Sequence, residues 1–178
     1  MLGKVIWLTG LSGAGKSTLA KELVFELQKL NYKPIILDGD DLRKILGANA
    51  DKSENYSSSA RLEIGMQYSQ LCKLISSQGF IVLIATISMF KEVHIWNRQY
   101  LPSYFEVYLK VPIEELRRRD HKKIYSKYDS GNLTNVVGLD LLFDEPEASD
   151  YVIEFKKNQS PRIIANQLLE KLKKRNFL

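Results

Sequence analysis

The chain has 178 residues, 44% hydrophobic and 26% charged, with a formal net charge of +5. This is the size and balance of a single globular domain (residues 1–178) that buries a full core without covalent staples. One cysteine, Cys72, excludes an internal disulfide and a thiolate zinc site, and two histidines, His94 and His121, are too few for a histidine metal cluster. Apolar runs such as 80–87 are strand-sized, short of the roughly 20 residues that span a bilayer. The first residues enter an apolar strand without a leader-like pattern. A reduced, cytoplasmic protein that does not enter membranes is expected.

Residues 5–8 are apolar and end at Thr9-Gly10, the pattern of a buried strand. Leu19, Leu23, Leu27 and Leu30 recur at helical spacing and predict a helix over about 16–30. A second buried strand is expected over 34–37, ending at Asp38, with a helix starting near Asp41. The polar stretch 48–59 reads as a loop. Leu62, Met66, Leu71, Leu74 and Ile75 predict a long helix closed by Gly79. Residues 80–84, the most hydrophobic strand, are expected at the centre of the sheet. A helix over 91–101 stops at Pro102, a strand follows at 105–109, and Pro112 suits the first turn of a helix over 112–119. Residues 120–150 have little periodicity and read as a mobile loop. A last strand is expected at 151–155, and Ser160-Pro161 opens a terminal helix with Ile164, Leu168, Leu169 and Leu172 on its apolar face. Trp7, Cys72, Phe80 and Phe105 read as core. Strands that alternate with helices and are apolar on both faces predict an α/β fold, a parallel sheet covered by helices on both sides.

Gly10-Leu11-Ser12-Gly13-Ala14-Gly15-Lys16-Ser17 has the form G-x-x-x-x-G-K-S between a strand and a helix, the context that a phosphate-binding loop requires. Glycines turn backbone N–H groups toward one point, and the helix N-terminus adds unpaired donors. Lys16 reaches the β- and γ-phosphates, and the Ser17 hydroxyl suits Mg²⁺. No Asn-Lys-x-Asp base-reading signature follows, and the strand ending at residues 84–88 carries no acid. The acids follow the second strand instead, in Leu37-Asp38-Gly39-Asp40-Asp41-Leu42-Arg43. Parallel strands present their C-terminal ends to one crevice, so Asp38 and Asp40 should face the γ-phosphate, where a carboxylate can accept the proton of an attacking hydroxyl. Asp41 reads as a helix cap.

The loop through Thr18 and the run 37–43 resemble adenylyl-sulfate kinases. So do Ile87-Ser88-x-Phe90, Arg119-Asp120-x-Lys122 with Tyr125, and Gly138-Leu139-Asp140 with Pro146. The resemblance implies a three-layer P-loop kinase fold with a mobile lid at about 120–146. It implies transfer of the ATP γ-phosphate to the ribose 3′-hydroxyl of adenosine 5′-phosphosulfate with Mg²⁺. Carried onto this chain, Gly10, Leu11, Ser12, Gly13, Ala14, Gly15, Lys16, Ser17, Thr18 and Arg119 surround ATP, with Ser17 at the metal. Lys16, Asp38, Asp40 and Ser88 form the catalytic group, and Asp40 is the base. Arg43 and Arg61 grip the 5′-phosphoryl group of the acceptor. Tyr56, Ile87, Ser88, Lys122 and Val136 complete the acceptor site. ATP and a nucleotide acceptor are the implied partners, and a homodimer the implied assembly.

The chain departs from the family pattern at Asp41, Ile64, Thr134, Val136 and Val137. The family carries Asn at the first two of these positions, and its lid carries Lys, then an aromatic followed by Thr, over the acceptor base. Some relatives phosphorylate the same hydroxyl of cytidine diphosphoramidate in capsule synthesis, and a pyrimidine needs less stacking surface. That acceptor is an alternative. Two further readings are a small-metabolite kinase on the same scaffold and a nucleotide-binding module without catalysis. Residues 110–127 carry a net +4, part of it expected to neutralise phosphate under a closed lid. The basic C-terminal helix has no aromatic interleaving, so nucleic acid is not expected as a partner.

Overall fold

The computed structural model of the chain describes residues 3–46 and 57–178. In chain order the elements are β1 (Lys4–Thr9), α1 (Lys16–Lys29), β2 (Ile35–Asp38), α2 (Gly39–Ile45), α3 (Ser58–Ser77) and β3 (Ile81–Ala85). They continue with α4 (Lys91–Tyr100), β4 (Tyr104–Lys110), α5 (Ile113–Arg119), α6 (Ile124–Asp129), β5 (Tyr151–Glu154) and α7 (Pro161–Lys174). The strands form one parallel sheet in the order β2-β3-β1-β4-β5.

Strand side chains alternate between faces, so each interior strand must supply two apolar surfaces. In β1, Ile6 and Leu8 join Leu19, Leu23 and Leu27 of α1 and Leu168 and Leu172 of α7 in one core. Val5 and Trp7 point the other way, into a second core with Tyr68 and Cys72 of α3 and Val93 of α4. β3 divides its residues likewise, with Leu83 and Ala85 in the first core and Val82 and Ile84 in the second. The expected three-layer α/β fold is present. Among the described residues, no helix is long and apolar enough to cross a membrane.

Five expectations change. β1, not the strand after Phe80, holds the middle of the sheet, because β3 lies between β1 and β2. β2 is an edge strand with Ile36 41% exposed, so its apolar run is only half-buried. Phe80 precedes β3 and is 45% exposed rather than core. Residues 120–150 are not featureless: they contain α6 and a bridge between Val137 and Leu141. At the other end of α3, Ser57 caps the helix, which begins inside the stretch expected as loop. Gly79 does sit just past the end of α3, at φ +92°, the left-handed conformation that closes helices.

The sheet order reverses beside β1. The C-terminal ends of β1, β2 and β3 therefore open onto one crevice, the usual ligand position in open α/β sheets.

Candidate active site

The turn after β1 places Gly13 at φ +79° and Gly15 at φ +97°, conformations that cost a side chain. Gly15 is the N-cap of α1 and makes no side-chain cap, which leaves the first N–H groups of α1 for an anion. The side chains of Leu11 and Ala14 are buried in the first core, so they act on this loop through backbone and packing. Lys16 is 9% exposed, and its Nζ donates to the carbonyls of Gly10 (2.8 Å) and Leu11 (2.9 Å). Burial, with the nearby charges of Lys122 and Arg43, pushes its pKa down to about 7, and Asp38 opposes the shift.

The two acids after β2 take different positions. Asp38, not Asp41, caps α2: its Oδ1 accepts the Asp40 N–H at 2.9 Å. Its Oδ2 accepts the Ser17 hydroxyl at 2.5 Å. The helix starts earlier than expected, at Gly39, which packs close to the end of β3, where a Cβ would meet the Ala85 carbonyl and Thr86 Oγ1 at 3.2 Å. Asp40, two residues on, ion-pairs with both Arg43 and Lys122. Asp38 thus sits on the phosphate-loop side and Asp40 on the side of residues 120–146.

Ser17 Oγ and Asp38 Oδ2 form a pair of hard oxygen donors beside the phosphate loop. That pair fits Mg²⁺, which binds through one or two protein oxygens and takes its other ligands from phosphates and water. Of the two acids, one is expected as base and the other to position Mg²⁺ water or the acceptor; the contact with Ser17 puts Asp38 on the metal side.

Beyond β3, Ser88 has φ +25° and is 8% exposed, with its Oγ 2.9 Å from Thr86 Oγ1. The Ile87 carbonyl accepts the Thr9 hydroxyl at 2.5 Å. Arg61 of α3 donates through Nη2 to the Asn135 carbonyl at 2.8 Å. A cavity of about 710 Å³ brings Lys16, Ser17, Asp38, Asp40, Arg43, Arg61, Ile87, Lys122 and Val136 onto one wall system. Ser88 lines a smaller neighbouring pocket that shares Arg43, Arg61 and Ile87 with it. Arg119 lies outside both walls. Its guanidinium stacks 5.0 Å from the centre of the Phe155 ring, pairs with Glu115 (2.7 Å) and reaches the Gly13 carbonyl at 3.5 Å. Tyr56 lies outside the described residues.

Three further contacts complete the arrangement. Asp120 caps α6 by accepting the N–H groups of Tyr125 (3.0 Å) and Ser126 (2.9 Å). The Tyr125 hydroxyl donates to the Ser12 carbonyl at 2.8 Å and docks α6 on the phosphate loop. The Tyr68 hydroxyl donates to the Gly39 carbonyl at 3.0 Å, fixing the first residue of α2 against α3. Part of the basic charge is spent on surface pairs, Arg117 with Asp129 and Arg118 with Glu115.

Comparison with known proteins bears directly on this site. The family profile described as adenylylsulphate kinase matches residues 2–154. A cytidine diphosphoramidate kinase of Campylobacter jejuni is 43% identical over 150 residues, covering 84% of each chain. An adenylyl-sulfate kinase of Clostridium acetobutylicum is 37% identical over 177 residues, 99% of this chain and 86% of the relative. Among solved structures, the Mycobacterium tuberculosis APS kinase CysC in complex with AMPPNP and APS superposes with a TM-score of 0.86. It has 30% identity, over 97% of this chain and 98% of that one.

Proposed function

The chain belongs to the adenylylsulphate kinase family, and from that premise we propose that it moves the γ-phosphate of ATP to the ribose 3′-hydroxyl of a nucleoside 5′-phosphoryl anhydride. The observation that carries this reading is the single cavity in which Lys16, Ser17 and Asp38 meet Asp40, Arg43 and Arg61. The first three form a triphosphate site. The last three form an acceptor site with a base at the junction.

The phosphate loop and the N-terminus of α1 hold the triphosphate, and Lys16 neutralises charge on the transferring group. Ser17 and Asp38 would hold Mg²⁺, which supplies charge neutralisation at the β- and γ-phosphates when bound. Asp40 accepts the proton of the 3′-hydroxyl. The bond from that oxygen to Pγ forms, the bond from Pγ to the β,γ-bridging oxygen breaks, and ADP leaves. In-line transfer needs no protein nucleophile, so Ser88 serves as an acceptor contact. Arg43 and Arg61 grip the 5′-phosphoryl group with the planar fork that suits phosphate. Arg119 stays beside the ATP site, where its guanidinium reaches the Gly13 carbonyl of the phosphate loop at 3.5 Å. We read residues 1–178 as one kinase domain with a lid at 120–146, and a homodimer as its assembly.

For the acceptor, cytidine diphosphoramidate is favoured. Ile64, Thr134 and Val136 stand where the resemblance implies polar and aromatic contacts to an adenine nucleotide, and the Campylobacter jejuni relative bears the cytidine name. Adenosine 5′-phosphosulfate, the acceptor of the family at large, is the second reading. Initial rates with both acceptors test the choice. A kcat/KM at least about tenfold higher on the cytidine substrate, a difference of about 1.4 kcal/mol, is expected, and a preference for adenylyl sulfate would reverse it. Asp40→Asn should lower kcat by about 10²–10⁴ on either acceptor. Full activity of that variant would remove Asp40 as the base.

A further inference from the structure

The Gly138-Leu139-Asp140 signature takes no part in the phosphate chemistry above. The structure places it in a strap over residues 135–144 whose two ends are tied down. The Asp140 carboxylate accepts two consecutive main-chain N–H groups, from Asn135 at 2.7 Å and Val136 at 2.6 Å. The turn is closed by Leu139 and Leu141 N–H donating to the Val136 carbonyl (3.0 and 3.2 Å) and Gly138 N–H donating to the Leu141 carbonyl (2.9 Å). Asn135 sits at φ +61°, in the left-handed region that asparagine enters more readily than other non-glycine residues.

Asn135, so turned, offers its carbonyl to Arg61 Nη2 at 2.8 Å, across 74 residues of chain. Gly138, at φ +88°, lies against the phosphate loop, where a Cβ would meet Leu11 Cδ1 at 3.0 Å. At the far end, Asp144 donates its N–H to the Met89 carbonyl (3.0 Å) and accepts the Lys91 N–H (2.8 Å), next to Ser88. The strap therefore spans from the triphosphate side to the acceptor side, and Asp140 sets the turn from which Arg61 is held.

We propose that Asp140 is a positioning residue for the acceptor nucleotide: it fixes the Asn135 carbonyl, which aims the Arg61 guanidinium, and touches neither substrate. This rests on the reading of Arg61 as a ligand of the acceptor's 5′-phosphoryl group. Hydrogen bonds to an ionised carboxylate are about twice as strong as neutral ones, so neutralising or removing Asp140 should release the turn without opening the phosphate loop.

Initial-rate kinetics separate the two ideas, with ATP as donor and cytidine diphosphoramidate and adenosine 5′-phosphosulfate as acceptor probes. Asp140→Ala should raise the acceptor KM about tenfold and leave the ATP KM and kcat within about twofold. Asp140→Asn keeps one accepting oxygen and should raise the acceptor KM about threefold. This variant carries the comparison if the alanine variant does not fold. Arg61→Ala should raise the acceptor KM more, and the double variant should be no worse than Arg61→Ala alone, because both act through one guanidinium. If Arg61→Ala raises the acceptor KM but both Asp140 variants leave it unchanged, or raise both KM values alike, the role of Asp140 is overturned and the Arg61 reading stands. Additive effects in the double variant overturn it as well. An acceptor KM unmoved by Arg61→Ala, or no turnover of either acceptor, overturns the reading and the proposal together.

Discussion

Nucleotide binding should take up a proton, and Lys16 is the group that takes it. Its Nζ donates to two carbonyls, and burial beside Lys122 and Arg43 holds its pKa at about 7 against an ordinary 10.5. A triphosphate in the loop brings negative charge to Nζ and returns the pKa toward the ordinary range. ATP therefore selects the protonated form. Affinity is full below about pH 7 and weakens as pH rises, by up to about tenfold per unit, until the pKa of the complex is reached. Between pH 7.5 and 9.0, where the nucleotide's own phosphates are fully ionised, the charged fraction of the free protein's lysine falls from about one quarter to about one hundredth. The dissociation constant should rise by roughly an order of magnitude. Burial pushes the Tyr125 hydroxyl up to about 12 and the Cys72 thiol up as well, so neither confuses this window. Calorimetric titration of ATP in buffers of different ionisation enthalpy reads both quantities, and at pH 8 about 0.9 proton per nucleotide is expected. Lys16→Met should flatten the profile. A dissociation constant that is level from pH 7.5 to 9.0, with no proton uptake at pH 8, would mean that the buried lysine is already charged, and the desolvation argument would fail.

Lys122→Ala removes a positive charge that lowers the Lys16 pKa, so the loss of ATP affinity should begin at higher pH; an onset unmoved or moved down would contradict that coupling. Tyr125→Phe deletes the bond to the Ser12 carbonyl and should cost about 1 kcal/mol, or about 2–4 °C in Tm by differential scanning calorimetry. Gly65→Ala places a Cβ 3.1 Å from Val93 Cγ2 and 3.3 Å from Ser88 Oγ. It should cost about 1–3 kcal/mol in denaturant unfolding and raise the acceptor KM through Ser88. Ser88→Ala should keep kcat within about tenfold, since direct transfer uses no protein nucleophile. A phosphoserine found at Ser88 by mass spectrometry during turnover would overturn direct transfer.

Sequence alone determined the features whose causes are local. The phosphate loop is legible because its glycines, Lys16 and Ser17 are contiguous, and its flanking strand and helix are marked by their own apolar periods. The layered α/β fold follows from the same periods, and Gly79 ends α3 through its own backbone freedom. Tertiary structure decided what depends on distant partners. Ile35, Ile36 and Leu37 are as apolar as an interior strand, and β2 is an edge because, among the described residues, no strand pairs with it beyond β3. α6 has six residues, too few for a helical period to register. It exists through the Asp120 cap and the Tyr125 bond to a loop 113 residues earlier. Asp38 and Asp40 stand two residues apart in one acidic run, and sequence does not say which is the base and which serves the metal or the acceptor. Their separation is made by Ser17, 21 residues before Asp38, and by Lys122, 82 residues after Asp40. Carboxylates are sorted by the charges and donors that the fold brings to them, and those come from elements that no local window contains.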